Sequence, residues 1–205
     1  MARHIQAIIL TEQAHSADQL FHPDKPKFVF VAELGRKSID EIESDLVLVP
    51  VLAGMKVPRE LHSRHEGVGE LIKSAIKDGG FEGKRGDHLL LATDLCGSCG
   101  DANRHVFVAG IGRAEKFTGR TAFDVFQKII EEAIRLDVQR VMIPFAPNRG
   151  TKGGINMKGM GHKLKMAVNA VFSRLEHPVR LTEVQIYCTP QAKPHIEKGL
   201  QIPVG

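Results

Sequence analysis

The stretch DLVLVPVLA at 45–53 is apolar at almost every position. It is far shorter than the ~18 residues of a membrane span. An unbroken run, rather than an alternating one, marks a strand buried on both faces. A strand of that kind needs a sheet with helices on either side, so this one segment already points to an α/β architecture. RVMIPFAP at 140–147 repeats the pattern.

The rest of the chain fits around these two runs. HIQAIIL (4–10), KFVFVAEL (27–34), DHLLLAT (87–93), HVFVAGIG (105–112) and LTEVQIYCT (181–189) read as further strands. A helix is expected from Pro58, with Leu61, Val68, Leu71, Ile72, Ala75 and Ile76 as its apolar stripe, stopped by Asp78-Gly79-Gly80. Helix 120–136 buries Phe123, Phe126, Ile129, Ile130, Ala133 and Ile134. Helix 160–176 buries Leu164, Val168, Val171 and Phe172, and a short helix follows near Pro194. Strands alternating with amphipathic helices predict a three-layer αβα sandwich with a mixed, largely parallel central sheet. No linker, repeat or low-complexity segment interrupts 1–205, so a single domain is expected.

Composition excludes some functions. Aromatic residues make up 5%, with no Trp and one Tyr, Tyr187, which leaves few platforms for stacking unpaired bases. Three cysteines, Cys96, Cys99 and Cys188, do not make a disulfide framework, and a reducing cytoplasm is the expected location. Neither a secretory leader nor a membrane span is expected. The net charge of +4 is unevenly spread: Val138 to Leu175 contains no Asp or Glu but holds Arg140, Arg149, Lys152, Lys158, Lys163, Lys165 and Arg174.

Several motif-like spacings carry little. Gly110-x-Gly112 follows a strand as a dinucleotide fingerprint would, but Glu115 occupies the third glycine position, where an acid would oppose a pyrophosphate. A tight strand exit is the reading preferred. No Walker loop and no nucleophile elbow occur. Cys96-x-x-Cys99 has zinc-knuckle or redox spacing, with His88, His105 and Cys188 as the further ligands in view, and incidental loop cysteines are the reading preferred. His62 and His65 share a helix face without a third ligand. No metal and no cofactor are expected.

The segment APNRGTKGGINMKGMGHKLK at 146–165 stands apart. It leaves a buried strand, carries five glycines from Gly150 to Gly161, and leads into a helix. Glycines let backbone N–H groups approach an anion, the helix start adds partial positive charge, and the lysines add whole charges. The candidate ligand-binding residues are Asn148, Arg149, Gly150, Thr151, Lys152, Gly153, Gly154, Asn156 and Lys158, within a loop spanning 147–161. A mobile loop with a solvated basic face is the alternative. Asp45, at the start of a central strand, lies near the ligand or caps the strand, and the cap is preferred.

ELIKSAIKDGGFEGKRGDHLLLATDL (70–95) and RHVFVAGIGRAEKFTGRTAF (104–123) resemble the N-terminal domain of the leucyl aminopeptidase (M17 peptidase) family. The resemblance runs over roughly 45–145 and rests on Gly83-Lys84-x-Gly86 followed by the Gly110-x-Gly112 exit. It implies a macro-domain-like fold. The family's dimetal catalytic half, with its NTDAEGR segment, has no counterpart, so the resemblance implies a binding module rather than a peptidase. Macro domains proper bind ADP-ribose. Here GMKVPRELHS follows the strand ending near Ala53, where they carry an Asn-Ala-Ala-Asn element. The expected partner is a small phosphate-bearing ligand, a nucleotide or ADP-ribose derivative. Hydrolysis of ADP-ribosyl groups, or docking to DNA or protein, stands as the alternative, and the oligomeric state stays open.

Overall fold

The computed structural model describes residues 24–33, 43–54, 73–74, 77–78, 80–93, 104–145 and 155–204. Among these residues six strands form one sheet: β1 (Lys27–Glu33), β2 (Leu46–Leu52), β3 (His88–Thr93), β4 (Arg104–Gly112), β5 (Arg140–Phe145) and β6 (Glu183–Cys188). Their order across the sheet is β1-β6-β5-β2-β4-β3. All neighbours run parallel except the edge strand β3, which is antiparallel to β4. Each strand lies within two residues of its expected bounds. The architecture is α/β with a mixed, largely parallel sheet.

The helices are α1 (Gly119–Arg135), α2 (Met157–Phe172) and α3 (Lys193–Leu200). α1 and α2 bury Phe126, Ile129, Ile130, Leu164, Val168 and Val171 against Leu46, Phe107, Val141, Ile143 and Val184 on one sheet face. Phe126 stacks on Phe145 with ring centroids 5.6 Å apart. The other face is also buried: Val47, Val49, Val108 and Met142 cluster there with Phe81. Both strands read as unbroken apolar runs therefore have two covered faces. Among the described residues no helix is long and apolar enough to cross a membrane. The strand expected at 4–10 lies outside the described residues. Of the helix expected from Pro58 only 73–74 and 77–78 are described, and 73, 74 and 77 are helical.

Both ends of one helix differ from expectation. α2 starts at Met157, three residues before the expected 160, so Gly159 joins Gly161 in the helix. Asn156 caps it, its side-chain oxygen accepting from Gly159 N at 2.8 Å. Gly161 is helical in spite of poor propensity because α3 crosses there: a Cβ would lie 2.5 Å from Ile196 O. Gly199 on α3 answers it, with a Cβ position 2.0 Å from Lys158 O. Paired glycines thus let two helix backbones touch. α2 also ends earlier than expected, at Phe172, with Arg174 Nε turned back onto Ala170 O at 2.8 Å.

Candidate functional site

In a parallel sheet the carboxyl ends of the strands share one edge, and here Leu52, Gly112, Phe145 and Cys188 end β2, β4, β5 and β6 there. The chain leaves β5 toward β6 on one side, and leaves β2 toward β3 on the other. The seam between β2 and β5 is thus a topological switch point, the usual place for a ligand crevice in an open α/β sheet. The seam is open in its hydrogen bonding as well. Its ladder holds two residue pairs, Leu46 with Val141 and Val47 with Met142, whereas β5 and β6 pair over six residues. Carried forward, the same register would set Val49 beside Pro144 and Pro50 beside Phe145. Proline brings no N–H to a ladder, so the two prolines account for a seam that stops short of the carboxyl edge. Those prolines were the sequence signal for the opening, and reading both runs simply as buried strands passes over it.

Beside the seam, a cleft of about 330 Å³ lies between the exits of β2 and β4, with Leu52, Ala53, Arg113, Ala114 and Glu115 among its lining residues. Next to this lining, backbone packs on backbone. Gly112 N donates to Gly83 O at 2.9 Å, and Ala53 N donates to Gly112 O at 2.9 Å. A Cβ on Gly110 would lie 2.1 Å from Lys84 O. Gly83, at φ +71°, sits where a Cβ would lie 2.9 Å from Leu52 O. Asp87 holds this turn, its Oδ2 accepting from Glu82 N and Lys84 N at 3.0 Å each. The Gly110-x-Gly112 pair is therefore a tight strand exit, as preferred from sequence, and the chain passes from it straight into the cleft residue Arg113. Arg113 and Glu115 belong to the site although sequence reading used Glu115 only to reject a dinucleotide fold.

α2 starts at the same edge. Its cap satisfies the Gly159 amide, so Asn156 holds the helix start with its side-chain oxygen, and only its NH2 remains for a ligand. The N–H groups of Met157 and Lys158 belong to the unpaired first turn, and the Lys158 side chain is exposed. Of the nine candidate residues the structure describes these two, Asn156 and Lys158. Asn148, Arg149, Gly150, Thr151, Lys152, Gly153 and Gly154 lie outside the described residues.

Asp45 is at the opposite edge. Its Oδ2 accepts from Gln139 N at 3.0 Å and Arg140 N at 2.8 Å, tying the starts of β2 and β5 together. It is a cap and does not reach the site. Arg140 pairs with Asp45 at 3.3 Å and Glu43 at 3.0 Å. The hydrogen bond and charge of Arg140 hold the Glu43 carboxyl below its ordinary value. That stabilisation is present above the unfolded carboxylate range and is lost as pH falls through the lowered value.

Cys96 and Cys99 lie outside the described residues, in the connection from Thr93 to Arg104. His105 is next to the base of that connection, paired with Ala92, whereas His88 pairs with Ala109 at the far end of β3. Cys188 is buried at the carboxyl edge, three strands from β4. Of the further zinc ligands in view, His88 and Cys188 thus stand apart from His105 in the sheet. Among the described residues no three His, Cys, Asp or Glu side chains group as metal ligands.

No family model and no curated protein sequence matches the chain. Solved structures do. A tomato leucine aminopeptidase aligns with a TM-score of 0.61 at 14% identity, over 86% of this chain and 36% of that one. The macrodomain of Mycobacterium tuberculosis DarG gives a TM-score of 0.56 at 14% identity, over 79% of this chain and 97% of that one. A Trypanosoma brucei macrodomain in complex with ADP gives 0.56 at 11%, over 85% and 68%. The fold is macro-domain-like. This macro-like chain spans about a third of the length of the aminopeptidase it aligns with.

Proposed function

We propose that the macro-like chain is a single-domain cytoplasmic module, related to the N-terminal domain of M17 aminopeptidases, that binds a nucleotide or ADP-ribose derivative at its carboxyl edge. The observation that carries this reading is the β2–β5 seam, open at the switch point, with the capped start of α2 and the cleft at Arg113 on the same edge. The diphosphate would take the amides of Gly150, Gly153 and Gly154 and the first-turn N–H groups of Met157 and Lys158. Lys152, Lys158 and Arg149 would supply charge, with Asn148, Thr151 and the Asn156 NH2 as neutral donors. The rest of the ligand would extend toward Leu52, Ala53 and Arg113. The ADP bound by the trypanosomal macrodomain supports this ligand class. The reading is one of binding, with no catalytic residue assigned.

The test is calorimetric titration with ADP-ribose, comparing the parent protein with the double variant Lys152→Glu, Lys158→Glu at equal melting temperature. Each charge-assisted phosphate contact is worth roughly 1.5–3 kcal/mol. The double variant should therefore bind on the order of a hundredfold more weakly or worse. Equal affinity of the two proteins would remove the loop from the site.

A further inference from the structure

The residues around the cleft carry more charge than one diphosphate needs. Arg113 lines the cleft, and Lys116 stands one 3-10 turn on, its N–H donating to Arg113 O at 3.0 Å. Arg85 lies against the strand exit: a Cβ on Gly112 would be 3.7 Å from Arg85 Cβ. Arg85 and Arg120 share one carboxylate, Asp124, the Arg120 Nε being 2.9 Å from it. Lys163 continues the surface from α2, its Cε 3.2 Å from a Cβ placed on Gly119, and Lys158 stands in the first turn of the same helix. With Lys84 on the turn that carries Arg85, seven cations stand against four acids, Glu82, Asp87, Glu115 and Asp124, so the surface carries a net of three positive charges. Arg85, Arg113, Lys116, Arg120 and Lys158 are exposed.

We propose that this surface docks the sugar–phosphate backbone of duplex nucleic acid running past the mouth of the cleft. The inference rests on the reading of the cleft as a phosphate site and adds the macromolecule that surrounds it. Guanidinium groups match phosphate oxygens in pairs, and three of the seven cations are arginines. Among the described residues the surface offers no exposed aromatic platform. Phe117 is buried, and Phe123 is half-buried with Arg120 over its ring at 6.0 Å. Unpaired strands are held largely by aromatic stacking, which is missing here, whereas a duplex presents an unbroken row of phosphates that cations alone can follow. Reading is therefore of backbone and not of bases.

The experiment measures anisotropy of a labelled random-sequence duplex of about 20 base pairs against salt, beginning at about 50 mM. Contacts to three or four phosphates predict a log–log slope of about −3. The triple variant Arg85→Gln, Lys116→Gln, Arg120→Gln should bind at least about tenfold more weakly at low salt, with a slope shallower by about two. These three positions lie outside the cleft lining, so ADP-ribose heat should be unchanged in the variant, which also checks its folding. Equal duplex binding by parent and variant, or no duplex binding at low salt, overturns the inference. So does binding to vesicles of anionic phospholipid without binding to duplex. If ADP-ribose gives heat in either case, the inference falls alone. If ADP-ribose gives none with the parent, the reading beneath it falls.

Discussion

Single residues decide where this fold can open and where it cannot. Gly161 and Gly199 occupy the contact of α2 with α3, and the atoms a Cβ would meet are carbonyl oxygens of the facing helix. Alanine at Gly161 gains about 1 kcal/mol in helix propensity. It also forces apart two backbones that cannot rearrange locally, and overpacking of this kind costs about 1–3 kcal/mol or more. Gly161→Ala and Gly199→Ala should each lower stability in urea titration, Gly199→Ala by more because its contact is closer. Gly159→Ala should cost less, since its nearest obstacle is the Ile155 side chain at 2.9 Å. From sequence the five glycines of 150–161 look alike. Only the position of α3, distant in sequence, marks Gly161 as a packing glycine. Glu115 is a second case. As an acid lining the cleft it opposes an anion, so Glu115→Gln should tighten ADP-ribose binding several-fold, read by calorimetry. Weaker binding would show that the carboxylate holds the ligand instead.

At the scale of elements, the sheet is tied at one edge and open at the other. Asp45 fastens β2 to β5 through two backbone N–H groups and Arg140, and the ladder then stops after two pairs. Asp45→Ala leaves Gln139 N–H and Arg140 N–H without this acceptor. It should cost about 2–3 kcal/mol in urea unfolding, with Asp45→Asn intermediate. A loss under about 0.5 kcal/mol, the size of an ordinary surface change, would mean that the seam is held elsewhere. Strand identities were legible because β2 and β5 are apolar on both faces, a pattern that survives any neighbour. The start of α2 was not. Local propensity puts Gly159 in the loop, and the cap at Asn156 overrides it. The role of Asp45 was legible because an acid beside a strand start has few other partners than backbone amides. The cleft was not, since Ala53 and Arg113 meet only once β2 and β4 pair.

For the whole molecule, the macro-like fold gathers three features on one sheet edge: the open seam, the start of α2 and the cleft at the β4 exit. A group of cations from Arg85 to Lys163 lies beside it. The most direct test of this arrangement is a two-dimensional amide NMR titration of the full chain with ADP-ribose. The account predicts saturable shifts of the Ala53, Arg113, Ala114, Met157 and Lys158 amides, with Asp45 and His105 at the opposite edge unmoved. Shifts confined to the Asp45 edge, or none at all at millimolar ligand, would contradict it.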